Sequence, residues 1–369
     1  MPECKVLNNH MCISVNGRYR PCCRFIETWN KDEVFFVKDT SFHDYKNSLF
    51  YKNIKDKMKS GWHEGCYKCQ EEENRDVDSM RHRFGRLMQG IDQNLEFIEI
   101  SLSNECNLAC KMCGPWASST WQKITKQNDE VHEFRKPSNF ENTVNVKTAF
   151  NNLDLNNLAT LKLLGGEPFI TPQTKDLFEY IDTNAGLSKI NFMTNTNMTF
   201  FPDKLMKYLN KFKALGISLS IDGFDKINDY VRYKSDWSNV CDVMDKWIQF
   251  RDTSSTNVTL KFTTCLNAYN VHQGVDIIEL ANKHNIEYNQ SFIMGPDYLT
   301  IQALPPEYVK IINNNLKEKK HSDHITSYLD KYVYNDNLNQ KLKKFTLTMD
   351  KITGMNLKDY NPLLAKYLL

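Results

Sequence analysis

Six short runs of the chain gather or alternate apolar residues as strands do: residues 97–103, 160–164, 189–193, 217–222, 258–265 and 286–293. Between them the apolar residues recur at intervals of three and four. Leu205, Tyr208, Leu209 and Phe212 share one helical face, and Val240, Val243, Met244, Trp247 and Ile248 share another. Pro202 stands where a first-turn proline is tolerated. Repeated strand–helix units predict a parallel sheet with right-handed crossovers. The first crossover, residues 114–157, is long. Its middle, residues 127–146, is polar and weakly periodic, the mark of a functional lid or a disordered segment. Ahead of the first strand, residues 13–20 read as a hairpin turning at Asn16-Gly17. The charged stretch 70–89 reads as one helix leading into the strand–helix region. Beyond Gly295-Pro296 the pattern changes, and Leu304-Pro305-Pro306 marks a boundary. Residues 317–324 are a solvated charge run. The tail to Leu369 reads as helices that cap the open edge of the sheet.

Length and charge narrow the field. The 369 residues can hold one large domain and a small one. A net charge of +2 argues against a general binder of nucleic acid or membrane surfaces. No apolar run approaches the length of a membrane span. The opening Met1-Pro2-Glu3-Cys4-Lys5 is polar and unlike a secretory leader, so a cytoplasmic chain is expected. In a reducing compartment the 11 cysteines are better read as metal ligands than as disulfides.

The cysteines fall into two groups. Cys106, Cys110 and Cys113 follow the first strand at spacings that let three thiols converge on one inorganic group. A cubic iron–sulfur cluster takes one ligand per iron, so three cysteines leave one iron open to a small molecule. The competing reading is a zinc loop or three core cysteines. In residues 1–75, Cys4, Cys22, Cys66 and Cys69 can close a complete four-thiol site. Zinc would make it a structural staple, and a second iron–sulfur cluster would make it an electron carrier. Cys12 and Cys23 are reserve ligands, with Cys23 expected to face away from its neighbour Cys22. Cys241 and Cys265 sit on helix and strand patterns and read as buried thiols.

Polar signals stand at successive strand ends. Gly165-Gly166-Glu167-Pro168 closes the second strand, where glycines let the backbone approach a ligand closely. Thr194-Asn195-Thr196-Asn197 closes the third and can cap the next helix. Ser220 and Asp222 close the fourth, with Arg232 downstream.

The C-x3-C-x2-C loop, followed in order by these motifs, resembles the radical S-adenosylmethionine (radical SAM) enzymes. The resemblance implies a partial (β/α)6 TIM-like barrel over residues 94–300. It also implies a [4Fe–4S] cluster on Cys106, Cys110 and Cys113, with SAM on the open iron. Gly165, Gly166 and Glu167 would then bind the SAM ammonium. Ser220 and Arg232 would clasp its carboxylate, and Asp222 would take its ribose. Methionine at Met112 replaces the aromatic residue usual beside the adenine, and its sulfur can pack on a ring. The spacing Cys4–Gly17–Cys22 with a distant Cys66-x2-Cys69 is similar to the SPASM or twitch auxiliary-cluster modules, here placed before the barrel. The implied organisation is that module over 1–75, a linker helix over 76–93, the barrel, and a helical extension over 301–369.

The implied activity is reductive cleavage of SAM to a 5′-deoxyadenosyl radical, which takes a hydrogen atom from a substrate. The cofactors carry that chemistry, and the protein supplies position and exclusion of water. A peptide or protein substrate is expected, because the Ser220–Arg232 pairing resembles the peptide-modifying branch. A dehydrogenase of a small polar metabolite is the alternative enzyme, and a zinc-stapled, non-catalytic binding protein is the alternative class. An external electron donor such as flavodoxin or ferredoxin is implied.

Overall fold

The computed structural model describes residues 3–26, 34–90, 94–138 and 144–369. The expected strands form and lie side by side. β3 (Phe97–Ser101), β5 (Thr160–Leu164), β6 (Asn191–Thr196), β7 (Ala214–Ser220), β9 (Asn257–Leu266) and β10 (Glu287–Phe292) pair in parallel in that spatial order. This is the parallel sheet of a partial (β/α) barrel. Alternation fixes its two faces. Leu215, Ile217 and Leu219 of β7 are buried. They share a core with Leu177, Phe178 and Ile181 of one helix and Val240, Val243 and Trp247 of another. The opposite face carries Gly216, Ser218 and Ser220 on β7 and Lys261, Thr263 and Cys265 on β9, all half-buried. The inner face is thus polar while the helix-covered face is apolar.

Two features of the amino-terminal region were not foreseen. The hairpin forms, with β1 (His10–Ile13) antiparallel to β2 (Tyr19–Arg20) and Gly17 in the left-handed region at φ 74°. However, β1 also pairs in parallel with β3, so that His10 faces Phe97 and Cys12 faces Glu99. The eight-stranded sheet therefore runs across the expected boundary between residues 1–75 and the barrel. Leu7, Met11, Ile13 and Tyr19 belong to the same core as the barrel helices. Second, residues 70–89 are two helices, Tyr67–Asn74 and Met80–Gly85. Asp76 adopts φ 56°, which ends the first, and the Ser79 hydroxyl caps the second by accepting from the His82 N–H.

Two further expectations are corrected, and the tail forms the helices expected of it. The third strand begins at Asn191 rather than 189 and runs through Thr196. Its polar end continues the strand because the buried threonines are satisfied: the Thr194 hydroxyl donates to the Leu163 carbonyl at 2.9 Å. The long crossover contains a helix, Ser119–Gln127, and then a segment that buries Val131 and Arg135. Its residues 139–143 lie outside the described residues. The tail helices, Pro306–Lys317, Asp323–Leu329, Asp336–Thr353, Leu357–Tyr360 and Pro362–Leu368, build a second core. That core takes in Ala109 and Trp121, so the tail packs against the Cys106–Cys113 loop as well as stacking Tyr328 on Phe292 of β10. Among the described residues no helix is long and apolar enough to cross a membrane.

Candidate cluster and cofactor site

The Cys106–Cys113 loop leaves β3 and contains a two-residue strand, β4 (Ala109–Cys110). β4 pairs antiparallel with β8 (Arg232–Tyr233), which sets Cys110 opposite Arg232. The Lys111 N–H donates to the Val231 carbonyl at 2.8 Å. The following helix secures the loop from outside. The Ser118 hydroxyl donates to the Leu108 carbonyl at 2.6 Å, Thr120 to the Cys106 carbonyl at 2.8 Å, and the Trp121 indole to the Cys110 carbonyl at 2.9 Å. The three thiols are partly buried and close enough for their charges to interact. Burial raises each of them, Cys106 to about 11, while the Arg232 charge opposes the rise. Among the described residues no three His, Cys, Asp or Glu side chains are gathered as ligands of a single metal ion. A four-iron cluster asks for a different arrangement, one thiolate on each of three irons.

The glycine turn meets this loop directly. A side-chain carbon on Gly165 would lie 2.6 Å from the Ser103 carbonyl, and one on Gly166 would lie 2.3 Å from that of Glu105. The Gly166 N–H donates to Ser103 and the Glu167 N–H to Glu105, both at 2.8 Å. The glycines admit the chain itself, backbone against backbone. Gly166→Ala is therefore expected to cost about 1–3 kcal/mol of stability through overpacking. Thermal unfolding is the measurement, and an unchanged midpoint would show that residues 103–105 retreat freely.

Glu167 is fully buried, and burial raises its carboxyl to about 7. One oxygen accepts the Asn197 N–H at 2.6 Å, while Oε1 has no hydrogen-bond partner. A buried carboxylate oxygen left open beside the loop suits an ammonium group, which is the test that SAM meets at this site. Asn197 ties the third strand end to the same place. Its amide donates to Asn107 Oδ1 at 2.9 Å and reaches Cys106 Sγ at 3.8 Å.

The other expected SAM residues stand differently. Arg232 is buried, and its Nη1 pairs with Asp222 Oδ2 at 2.5 Å. Asp222 Oδ1 accepts the Cys265 N–H at 2.8 Å. The two groups thus pair with each other through Nη1, which was not legible in the motif. Ser220 ends β7 on the polar inner face, opposite Thr263. Met112 is partly buried against the second core.

Among the described residues, the structure brings the amino-terminal thiols to one cavity without gathering three of them as ligands of a single metal ion. Cys4, Cys22, Cys66 and Cys69 line one cavity. Burial raises all four, Cys4 to about 11 and Cys66 to about 12, and Cys4, Cys22 and Cys66 each feel the charge of one or more of the others. Gly65 is required there, since a side chain on it would strike the Phe25 ring at 2.4 Å. Cys23 still feels the charge of its neighbour Cys22. It also interacts with Glu99, whose carboxylate accepts from Lys162 at 2.9 Å and lies 3.6 Å from His10. Burial alone would raise the Glu99 carboxyl, but His10 and Lys162 hold it down to about 2. Nothing in the local pattern announces this polar group, because its members come from β1, β3, β5 and the turn after β2. All cysteines are free thiols.

Residues 100–281 match the model of the Radical SAM superfamily. A curated relative, a GTP 3′,8-cyclase from Desulforamulus reducens, is 22% identical over 156 residues, covering 42% of this chain and 44% of the relative. The chain thus aligns with less than half of that protein. Among solved structures, native anSMEcpe with bound AdoMet is similar over 71% of this chain and 67% of its own, at 15% identity and a TM-score of 0.42. SuiB from Streptococcus suis is similar over 84% of this chain and 65% of its own, at 15% identity and a TM-score of 0.38. Through residues 100–281 the chain belongs to the radical SAM superfamily, whose cofactors are a [4Fe–4S] cluster and S-adenosylmethionine.

Proposed function

We propose that the chain is a radical SAM oxidoreductase with its cluster on Cys106, Cys110 and Cys113. The observation that carries this reading is the open Oε1 of buried Glu167 beside the three-thiol loop. When bound, the cluster and SAM supply a 5′-deoxyadenosyl radical that removes a hydrogen atom from the substrate. The residues of the chain bind and orient. Glu167 receives the SAM ammonium, and Asn197 holds the Glu167 carboxylate and the loop in register. Arg232, paired with Asp222, keeps a positive charge beside Cys110 instead of acting as a free carboxylate clasp. Ser220 and the other inner-face residues of β7 and β9 provide polar contacts for substrate and cofactor.

The four-thiol cavity is read as the seat of a second cluster, which Cys4, Cys22, Cys66 and Cys69 would hold and which would supply an electron carrier. A peptide or protein substrate is supported by β10. This strand ends the sheet with no strand beyond it among the described residues, and most of it is exposed. An extended peptide can add to such an edge through main-chain hydrogen bonds. The second reading is a small polar metabolite, favoured by the curated relative named a GTP cyclase.

Anaerobic reconstitution tests these readings in one preparation. About eight irons per chain are expected if both sites hold four-iron clusters, with 5′-deoxyadenosine released under strong reductant. About four irons and one zinc would make the amino-terminal site structural. Iron-free, colourless protein would reject the enzyme reading. Stimulation of 5′-deoxyadenosine release by a peptide library but not by nucleotides selects the peptide substrate, and the reverse result selects the metabolite.

A further inference from the structure

Arg135, on the long first crossover, is a buried guanidinium whose described hydrogen bonds all go to uncharged oxygens. Its Nε donates to the Cys113 carbonyl at 2.6 Å, and Nη2 donates to the Lys111 carbonyl at 2.7 Å. Nη1 donates to the Phe134 carbonyl at 2.8 Å and also to the Tyr298 hydroxyl. The guanidinium lies against the Trp121 ring, 5.5 Å from its centre, and Trp121 holds the Cys110 carbonyl. One rigid fork thus spans the turn that carries the third thiol, a geometry a lysine cannot reproduce. Among the described residues no carboxylate pairs with Arg135. A buried charge without a counter-charge is costly. Three thiolates on a [4Fe–4S]2+ core carry a net charge of −1, and reduction adds another negative charge.

Building on the reading of this loop as a cluster site, we propose that Arg135 is a positioning residue for the Lys111–Cys113 turn. We propose also that the cluster is the missing counter-charge, so that Arg135 makes it easier to reduce. The fork sets the geometry, and the charge favours the reduced form.

Two substitutions separate these parts. Arg135→Lys keeps the charge and loses the fork; Arg135→Met loses both. In the protein before reconstitution, amide hydrogen exchange over residues 110–114 is expected to quicken at least tenfold in both variants. This arm needs no iron, so it stands even if the cluster reading fails. In reconstituted protein, the reduced-to-oxidised ratio at a fixed reductant poise, read by electron paramagnetic resonance, is expected to fall at least threefold in Arg135→Met. In Arg135→Lys it should stay within twofold of wild type. If Arg135→Met does not fold, Arg135→Gln takes its place. Unchanged exchange in both variants overturns the proposal, as does unchanged reduction in the neutral variant.

Discussion

Alanine at Cys106, Cys110 or Cys113 is expected to reduce 5′-deoxyadenosine release under strong reductant to background. No other cysteine has been placed at this loop to replace a lost ligand. Cys241 lies on the helix Trp237–Thr253, and Cys265 faces Ser291 across β9 and β10. The folded chain should survive each substitution. The loop is held through main-chain groups that alanine keeps: the Cys106 carbonyl by Thr120, the Cys110 carbonyl by Trp121, and the Cys113 carbonyl by Arg135. Circular dichroism should therefore match wild type while iron content falls by about four per chain. Release at the wild-type rate from any one variant would remove that cysteine from the ligand set.

Arg232→Met is expected to destabilise the protein by about 3–5 kcal/mol, because it leaves the buried Asp222 carboxylate without its partner. The burial is on both sides, with side chains 9% and 4% exposed. Adding Asp222→Asn should recover much of the loss, since the neutral amide keeps an oxygen for the Cys265 N–H. Urea unfolding of the two variants measures this. If Arg232→Met unfolds like wild type and loses only SAM affinity, the arginine is a free clasp and the ion pair is incidental. This outcome matters for substrate class, because the motif carrying Ser220 and Arg232 is what suggested a peptide-modifying enzyme.

What the chain disclosed by itself was local. Alternation in residues 214–220 and 257–266 reflects one apolar face and one polar face, and Asn16-Gly17 announces a turn whatever lies around it. The cysteine spacing and the Gly-Gly-Glu turn were legible because their chemistry sits in a few consecutive residues. Contacts between distant segments were not. No local feature of residues 10–13 specifies that they pair in parallel with 97–100. Arg135 lies in a polar, weakly periodic stretch where its burial leaves no pattern. Glu99, Lys162, His10 and Cys23 come from four separate segments. Nor did the motif show that Gly165 and Gly166 lie against the backbone of residues 103–105.

The pairing of β1 with β3 also has a consequence for biosynthesis. His10 emerges from the ribosome long before its partner Phe97, and at about 5–20 residues per second the interval is roughly 4–20 s. Throughout that time β1 has only its short hairpin mate, and the thiols of Cys4, Cys12, Cys22 and Cys23 have no sheet to shelter them. Once β3 arrives, it gains a neighbour on an edge that would otherwise be open to other chains. Trimming away the cysteine-rich segment is therefore expected to leave the β3 edge open to pairing with other chains.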